Sequence, residues 1–112
     1  MKQRFLNVDE IPEVELFPGF HAKMIHGETM SVIRFRIEEG RQLQEHAHPH
    51  EQITNVISGK LEMTVGGETH MLGPGNAVVI PSNTLHSGFA HTECIVLDVF
   101  QPVREDYLKR MS

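Results

Sequence analysis

Glycine and proline cut this chain into short pieces, and that punctuation constrains its fold more than any other feature. Turn signals fall at Pro18-Gly19, Gly27, Gly40, Pro49, Ser58-Gly59, Gly66-Gly67, Gly73-Pro74-Gly75, Pro81 and Gly88. The runs between them alternate with period two, the repeat of a strand that buries one face. Ile33, Phe35 and Ile37 alternate with Arg34 and Arg36, and Leu61, Met63 and Val65 alternate with Lys60, Glu62 and Thr64. Gly66-Gly67 reads as a two-residue hairpin turn into Glu68–Leu72. Asn76–Ile80 and Cys94–Phe100 are richer in β-branched residues and read as more buried strands. Many short strands at this spacing predict an all-β sandwich or small barrel. The tail is the one helical stretch: Pro102 suits a helix start, and Arg104, Tyr107, Leu108 and Met111 share a face at i, i+3, i+4 and i+7.

At 112 residues the chain makes one domain, 1–112, with a single core. Fifteen acids against ten bases give a formal charge of −5 with no basic block, which argues against a nucleic-acid partner. Cys94 is the only cysteine, so no intrachain disulfide forms and a reducing cytoplasm fits. From Met1 to Glu10 the chain meets acids before any apolar stretch of signal-peptide character, and no run is long enough to span a bilayer. The expected location is cytoplasmic.

His46 and His48 sit at i and i+2, so on a strand their imidazoles share a face and offer a bite for a divalent metal. Gln52 has the same parity and faces the same cavity if the strand is regular, while Glu51 has the opposite parity and points outward. A bulge or turn at Pro49 would break that parity and keep Glu51 in play as a ligand. His50 is either a pocket wall or a surface residue. The competing reading makes all these side chains surface or satisfied polar groups. His21, His26, His70 and His91 have no partner at ligand spacing and read as ordinary polar residues.

Two ordered motifs then carry a resemblance. Gly40, five residues, His46-Ala47-His48, three residues, Gln52, six residues, Gly59 resembles the first motif of the cupin superfamily, with Gln52 in the usual glutamate slot. Gly75, five residues, Pro81, then His86 resembles the second, with Asn83 where glycine is common and Ala90 where asparagine is common. The resemblance implies a cupin barrel (a double-stranded β-helix, or jelly roll) with a metal near the wide end of its interior. The short C-terminal helix would follow it. Three imidazoles and an amide oxygen suit Zn, Ni, Cu, Fe or Mn without choosing among them. With no carboxylate in the set, a divalent ion keeps its full charge in a low-dielectric interior and attracts an anionic ligand. The set also departs from the facial triad of two histidines and a carboxylate found in many non-haem iron oxygenases.

A second cluster follows at Asp98. It interrupts the apolar run of Ile95, Val96, Leu97, Val99 and Phe100, and an acid there is costly unless paired, exposed or lining a polar cavity. Phe100 shares its parity, and Arg104, just past Pro102, can fold back to bind a carboxylate bidentately. The alternative is a structural Asp98–Arg104 salt bridge closing the barrel end, with Phe100 as plain core.

The Asp-x-Phe-x-x-x-Arg segment on so short a chain resembles the KdgF-type pectin-degradation cupins. That family opens the ring of 4,5-unsaturated uronates to linear keto sugar acids. The resemblance implies His46, His48, Gln52 and His86 as ligands of one divalent metal (Ni, Zn, Mn or Fe), and Asp98, Phe100 and Arg104 as catalytic residues. It makes glutamine the expected fourth ligand. Two other readings stay open: a dioxygenase or polyketide-cyclase-like cupin, and a barrel that binds a small acid without turnover. A homodimer is expected from the resemblance alone; Val14, Leu16, Phe17 and Phe20 can extend a partner's sheet or cover their own barrel.

Overall fold

The computed structural model describes residues 4–109. A 3-10 turn at Val8–Glu10, capped by the Asn7 side chain, leads into ten strands. These are β1 (Val14–Phe17), β2 (Phe20–His26), β3 (Ser31–Ile37), β4 (Gln42–His46), β5 (Glu51–Ser58), β6 (Leu61–Val65), β7 (Glu68–Leu72), β8 (Ala77–Ile80), β9 (His86–Ala90) and β10 (Cys94–Gln101). A single helical turn, α1 (Glu105–Leu108), follows.

The strands form two antiparallel sheets, β1-β2-β3-β10-β5-β8 and β4-β9-β6-β7. After β3 every connection except the β6–β7 hairpin crosses from one sheet to the other, the winding of a double-stranded β-helix. The hairpin is the expected one: Gly66 and Gly67 take φ of +56° and +85°, the left-handed values that a two-residue turn needs at both positions.

Period-two patterning survives into the fold. On β3, Ile33, Phe35 and Ile37 are buried while Arg34 and Arg36 point outward; on β6, Leu61 and Met63 face them from the other sheet. On β1 and β2, Leu16 and Phe20 are buried in the chain's own core and Val14 packs against it, so these residues cover their own sandwich. The central strand β10, paired on both sides, sends Cys94, Val96, Asp98 and Phe100 inward. Three of these are core; the fourth is an acid.

Two expectations need correction, and the expected short C-terminal helix is met in its shortest form. Among the described residues the sheets are not hydrogen-bonded to each other, so the jelly roll is an open sandwich and not a closed barrel. Strand β8 is an edge strand whose Ala77 and Val79 are exposed and whose Ile80 alone is fully buried; β-branching fitted it to a sheet without burying it. The tail forms one turn, in which Arg104 is the N-cap and Leu108 is exposed, while Met111 lies outside the described residues. Among those residues no helix is long and apolar enough to cross a membrane.

Candidate metal centre

His46 ends β4, His86 begins β9, and the two pair directly in register. Gln52 lies on β5, in the other sheet, opposite Phe100. His48 belongs to neither strand. It sits in the bend between β4 and β5, so parity along one regular strand is not what gathers these residues. Pro49 breaks the strand, and the chain crosses between sheets with His48 at the crossing. The loop after β8 fixes it there: Asn83 N–H donates to the His48 carbonyl (2.8 Å) and Ser82 Oγ to that of Pro49 (2.6 Å). Asn83 holds φ of +60°, a left-handed value that asparagine tolerates in place of glycine.

The three imidazoles converge inside the sandwich. Ring centroids lie 4.2 Å apart for His46–His86, 4.9 Å for His48–His86 and 5.5 Å for His46–His48, and one ring nitrogen of each falls within 4.8 Å of the others. Each Nδ1 faces a backbone carbonyl: Gln44 for His46 (2.9 Å), His50 for His48 (3.0 Å) and Thr84 for His86 (2.9 Å). A carbonyl only accepts, so each Nδ1 carries a hydrogen, and in the neutral ring Nε2 then keeps the lone pair that metal ligation needs. His86 is 1% exposed and its buried Nε2 has no partner. Burial, and then the Arg104 charge and His86, push the His48 pKa down to about 4, which keeps its ring neutral at physiological pH.

Gln52 completes the geometry. Its amide nitrogen donates to Thr54 Oγ1 (2.9 Å), which leaves Oε1 facing His48 Nε2 at 3.1 Å. Two acceptors at that separation repel unless a cation lies between them. The donor set therefore fits a metal ion: three imidazoles with Nδ1 tied to carbonyls, and one amide oxygen.

Asp98 is 6% exposed, lies opposite Thr54 across the β10–β5 pair, and its Oδ1 is buried without a partner. Burial raises its pKa to about 6, offset in part by hydrogen bonds from Thr54 and Gln52 and by the Arg104 charge. Phe100 is buried edge-on to His48, at 5.9 Å between ring centroids. Arg104 is 5% exposed and lines the same cavity, but its carboxylate partner is Asp106, not Asp98: Nε donates to Oδ1 (3.1 Å) and Nη2 to Oδ2 (2.9 Å). The structural Asp98–Arg104 bridge considered from sequence is not formed.

Glu51 is exposed, as its parity predicts. His50 is half-buried behind the site, with its ring against His48 and Phe100 and not lining the cavity. His70 and His91 pair with Glu68 and Glu62 at the surface. His21 does find carboxylates in three dimensions, but there its Nε2 is taken by Glu38 (2.7 Å), which also pairs with Arg41. Thr54 and Arg41 also line the cavity and Asp106 holds Arg104, none of them marked by ligand spacing. Thr54 was legible, since it shares Gln52's parity two residues on.

The jelly roll and its histidine triad define a class: a cupin domain matches residues 33–100, and the chain belongs to the cupin family. It is 30% identical over 111 residues to the pectin degradation protein KdgF of Dickeya dadantii, covering 96% of this chain and 100% of that one. The structure of KdgF from Halomonas sp. matches with a TM-score of 0.88 at 29% identity, covering 95% of this chain and 99% of that one. An RmlC-like cupin from Shewanella frigidimarina matches with a TM-score of 0.90 at 23% identity, over 95% of this chain and 96% of that one, a likeness of fold alone.

Proposed function

We propose that this cupin is a metal-dependent enzyme that opens the ring of small 4,5-unsaturated uronates to linear keto sugar acids. The observation that carries the reading is the inward face of β10: a buried acid with an unpartnered oxygen, next to an aromatic wall and an arginine, all on the cavity of the histidine triad. Similarity along nearly the whole chain to a pectin degradation protein supports the substrate class.

The reaction is an isomerisation. A proton leaves the anomeric hydroxyl, the bond from C1 to the ring oxygen breaks, and C4 takes up a proton as the enol becomes a ketone. His46, His48, Gln52 and His86 would hold the divalent metal, whose identity (Ni, Zn, Mn or Fe) their chemistry leaves open. When bound, such an ion supplies Lewis-acid polarisation of a substrate oxygen. Asp98 moves the proton: with a pKa near 6 it gives up or takes a proton at little cost around neutral pH. Arg104 attracts the substrate carboxylate, and Phe100 walls the sugar face. Neutral metal ligands leave the site's positive charge for the anionic substrate.

The test is to incubate metal-loaded protein with a 4,5-unsaturated uronate and follow loss of the conjugated ultraviolet absorbance. No acceleration over buffer removes the proposal. From the resemblance we also propose a cytoplasmic homodimer, which light scattering of the purified protein checks for mass.

A further inference from the structure

Arg104 is fixed from several directions before any ligand arrives. Its backbone N–H donates to Ser31 Oγ (2.9 Å), a fully buried side chain on β3. Its guanidinium carbon lies 3.9 Å from the Tyr107 ring centroid and 4.7 Å from that of Phe100. The Nε–Nη2 edge is held by both oxygens of Asp106. The two partners differ sharply in exposure, 7% for the Arg104 side chain and 57% for that of Asp106. Asp106 thus grips the fork from the solvent side, while Arg104 itself lines the cavity.

We infer that Asp106 is a positioning residue: it holds Arg104 in the one orientation that presents the rest of its fork to an anionic group inside the cavity. The inference rests on the substrate class proposed above and deepens it. A long arginine side chain pays conformational entropy to meet a ligand, and a bidentate carboxylate on one edge removes that freedom in advance. It also limits which N–H groups remain, since the Nε–Nη2 edge is occupied by Asp106 and a ligand must meet what is left of the fork beside Tyr107. The opposite arrangement would make Asp106 a competitor that sits where the substrate carboxylate belongs. The exposure pattern disfavours it, because a ligand beside the histidines approaches Arg104 from the buried side.

The two arrangements give opposite signs in one experiment. Zinc-loaded protein is titrated with D-galacturonate, and with neutral D-galactose as control, while the Arg104 Nε–H resonance is followed by NMR. Galacturonate should shift the wild-type signal and galactose should not. Asp106→Asn keeps the size of the side chain but turns one oxygen into a donor that faces Nη2 or Nε. It should broaden or lose the signal and weaken galacturonate binding about tenfold, the scale of a charged hydrogen-bond pair. Asp106→Glu should restore most of the affinity. In turnover, Asp106→Asn should raise KM about tenfold and change kcat much less. Unchanged or tighter galacturonate binding by Asp106→Asn overturns the inference, as does an Arg104 signal indifferent to galacturonate in the wild type. If wild-type protein turns over no unsaturated uronate, the ring-opening reading fails, and the galacturonate titration still decides the role of Asp106.

Discussion

His48 Nε2 and Gln52 Oε1 face each other at 3.1 Å with no hydrogen between them, because His48 carries its hydrogen on Nδ1 and Gln52 turns its amide nitrogen to Thr54. Folding has assembled a cluster of lone pairs that costs free energy when nothing neutralises it. A divalent cation should therefore stabilise the fold strongly. At free metal one hundred times Kd the gain is about 2.7 kcal/mol, or a rise in Tm of roughly 10–20 °C for a domain of this size. Thermal melts in EDTA and in excess zinc or nickel measure it. His86→Ala should remove most of the shift; a wild type that melts identically in both would show that the cluster binds no metal.

Gln52→Glu would give the site the carboxylate more often seen in its slot. Gln52 is 6% exposed and hydrogen-bonds Asp98, so the new charge has little screening. It should hold the metal longer against a chelator, because the ligand set becomes anionic. It should also repel an anionic substrate and push the Asp98 pKa further up. We expect KM for the uronate to rise about tenfold, the factor that some 1.4 kcal/mol produces. Chelator competition and steady-state kinetics read the two effects separately, and a KM that falls would count against an anionic ligand.

Asp98 makes a prediction with a definite sign. Its folded pKa, about 6, stands above the usual carboxylate value, so between these two values the folded protein binds the extra proton. Stability from this group is present below about pH 4 and is lost as pH rises through about 6, the reverse of a salt-bridged carboxylate. In EDTA, wild type should lose about 2–3 kcal/mol over that range relative to Asp98→Asn. Other titrating groups are common to both proteins and cancel in the difference. Urea unfolding of both at pH 4 and pH 7 gives the comparison; parallel pH profiles would show that Asp98 is not a strained acid. On the proposed reaction, the metal-loaded variant should lose about 100-fold or more in kcat, the usual range for removing a general acid or base.

The strands and the inward histidines were legible because period-two burial and motif spacing are local properties of the chain. Ile33, Phe35 and Ile37 could be read straight into the core, and Asp98 stood out as the one acid on a buried face. The sequence offered a turn at Pro49 without deciding it, and neither the long-range clip that fixes it nor the partner of Arg104 was legible. His48 reaches the site across a bend at Pro49, clipped by Asn83 from a loop more than thirty residues on, so strand parity gave the right neighbours by the wrong route. The partner of Arg104 was a matter of side-chain competition: Asp98 is close in sequence logic, but Asp106 lies on the same turn and can use both oxygens. Spacing names candidates for an ion pair, and geometry chooses between them.

Gly59, the last residue of the first motif, sits at φ of +91° with its Cα turned against the β9–β10 connection, and a Cβ there would run into the Glu93 carbonyl and the Cys94 side chain. Cys94 is fully buried, donates to the Thr92 carbonyl (3.3 Å), and burial pushes its thiol pKa up. Little thiolate exists to react, and no surface is open to reagent. In native wild type the thiol should resist Ellman's reagent and label only as the strands open. Gly59→Ala combines a left-handed backbone with a collision against main chain, at a cost of about 2–4 kcal/mol. Labelling should then accelerate by a factor of about thirty or more, since each 1.4 kcal/mol in the opening equilibrium is tenfold. The absorbance time course measures both rates. Rapid, stoichiometric labelling of the native wild type would contradict the burial of Cys94, and equal rates in the two proteins would contradict the close approach at Gly59.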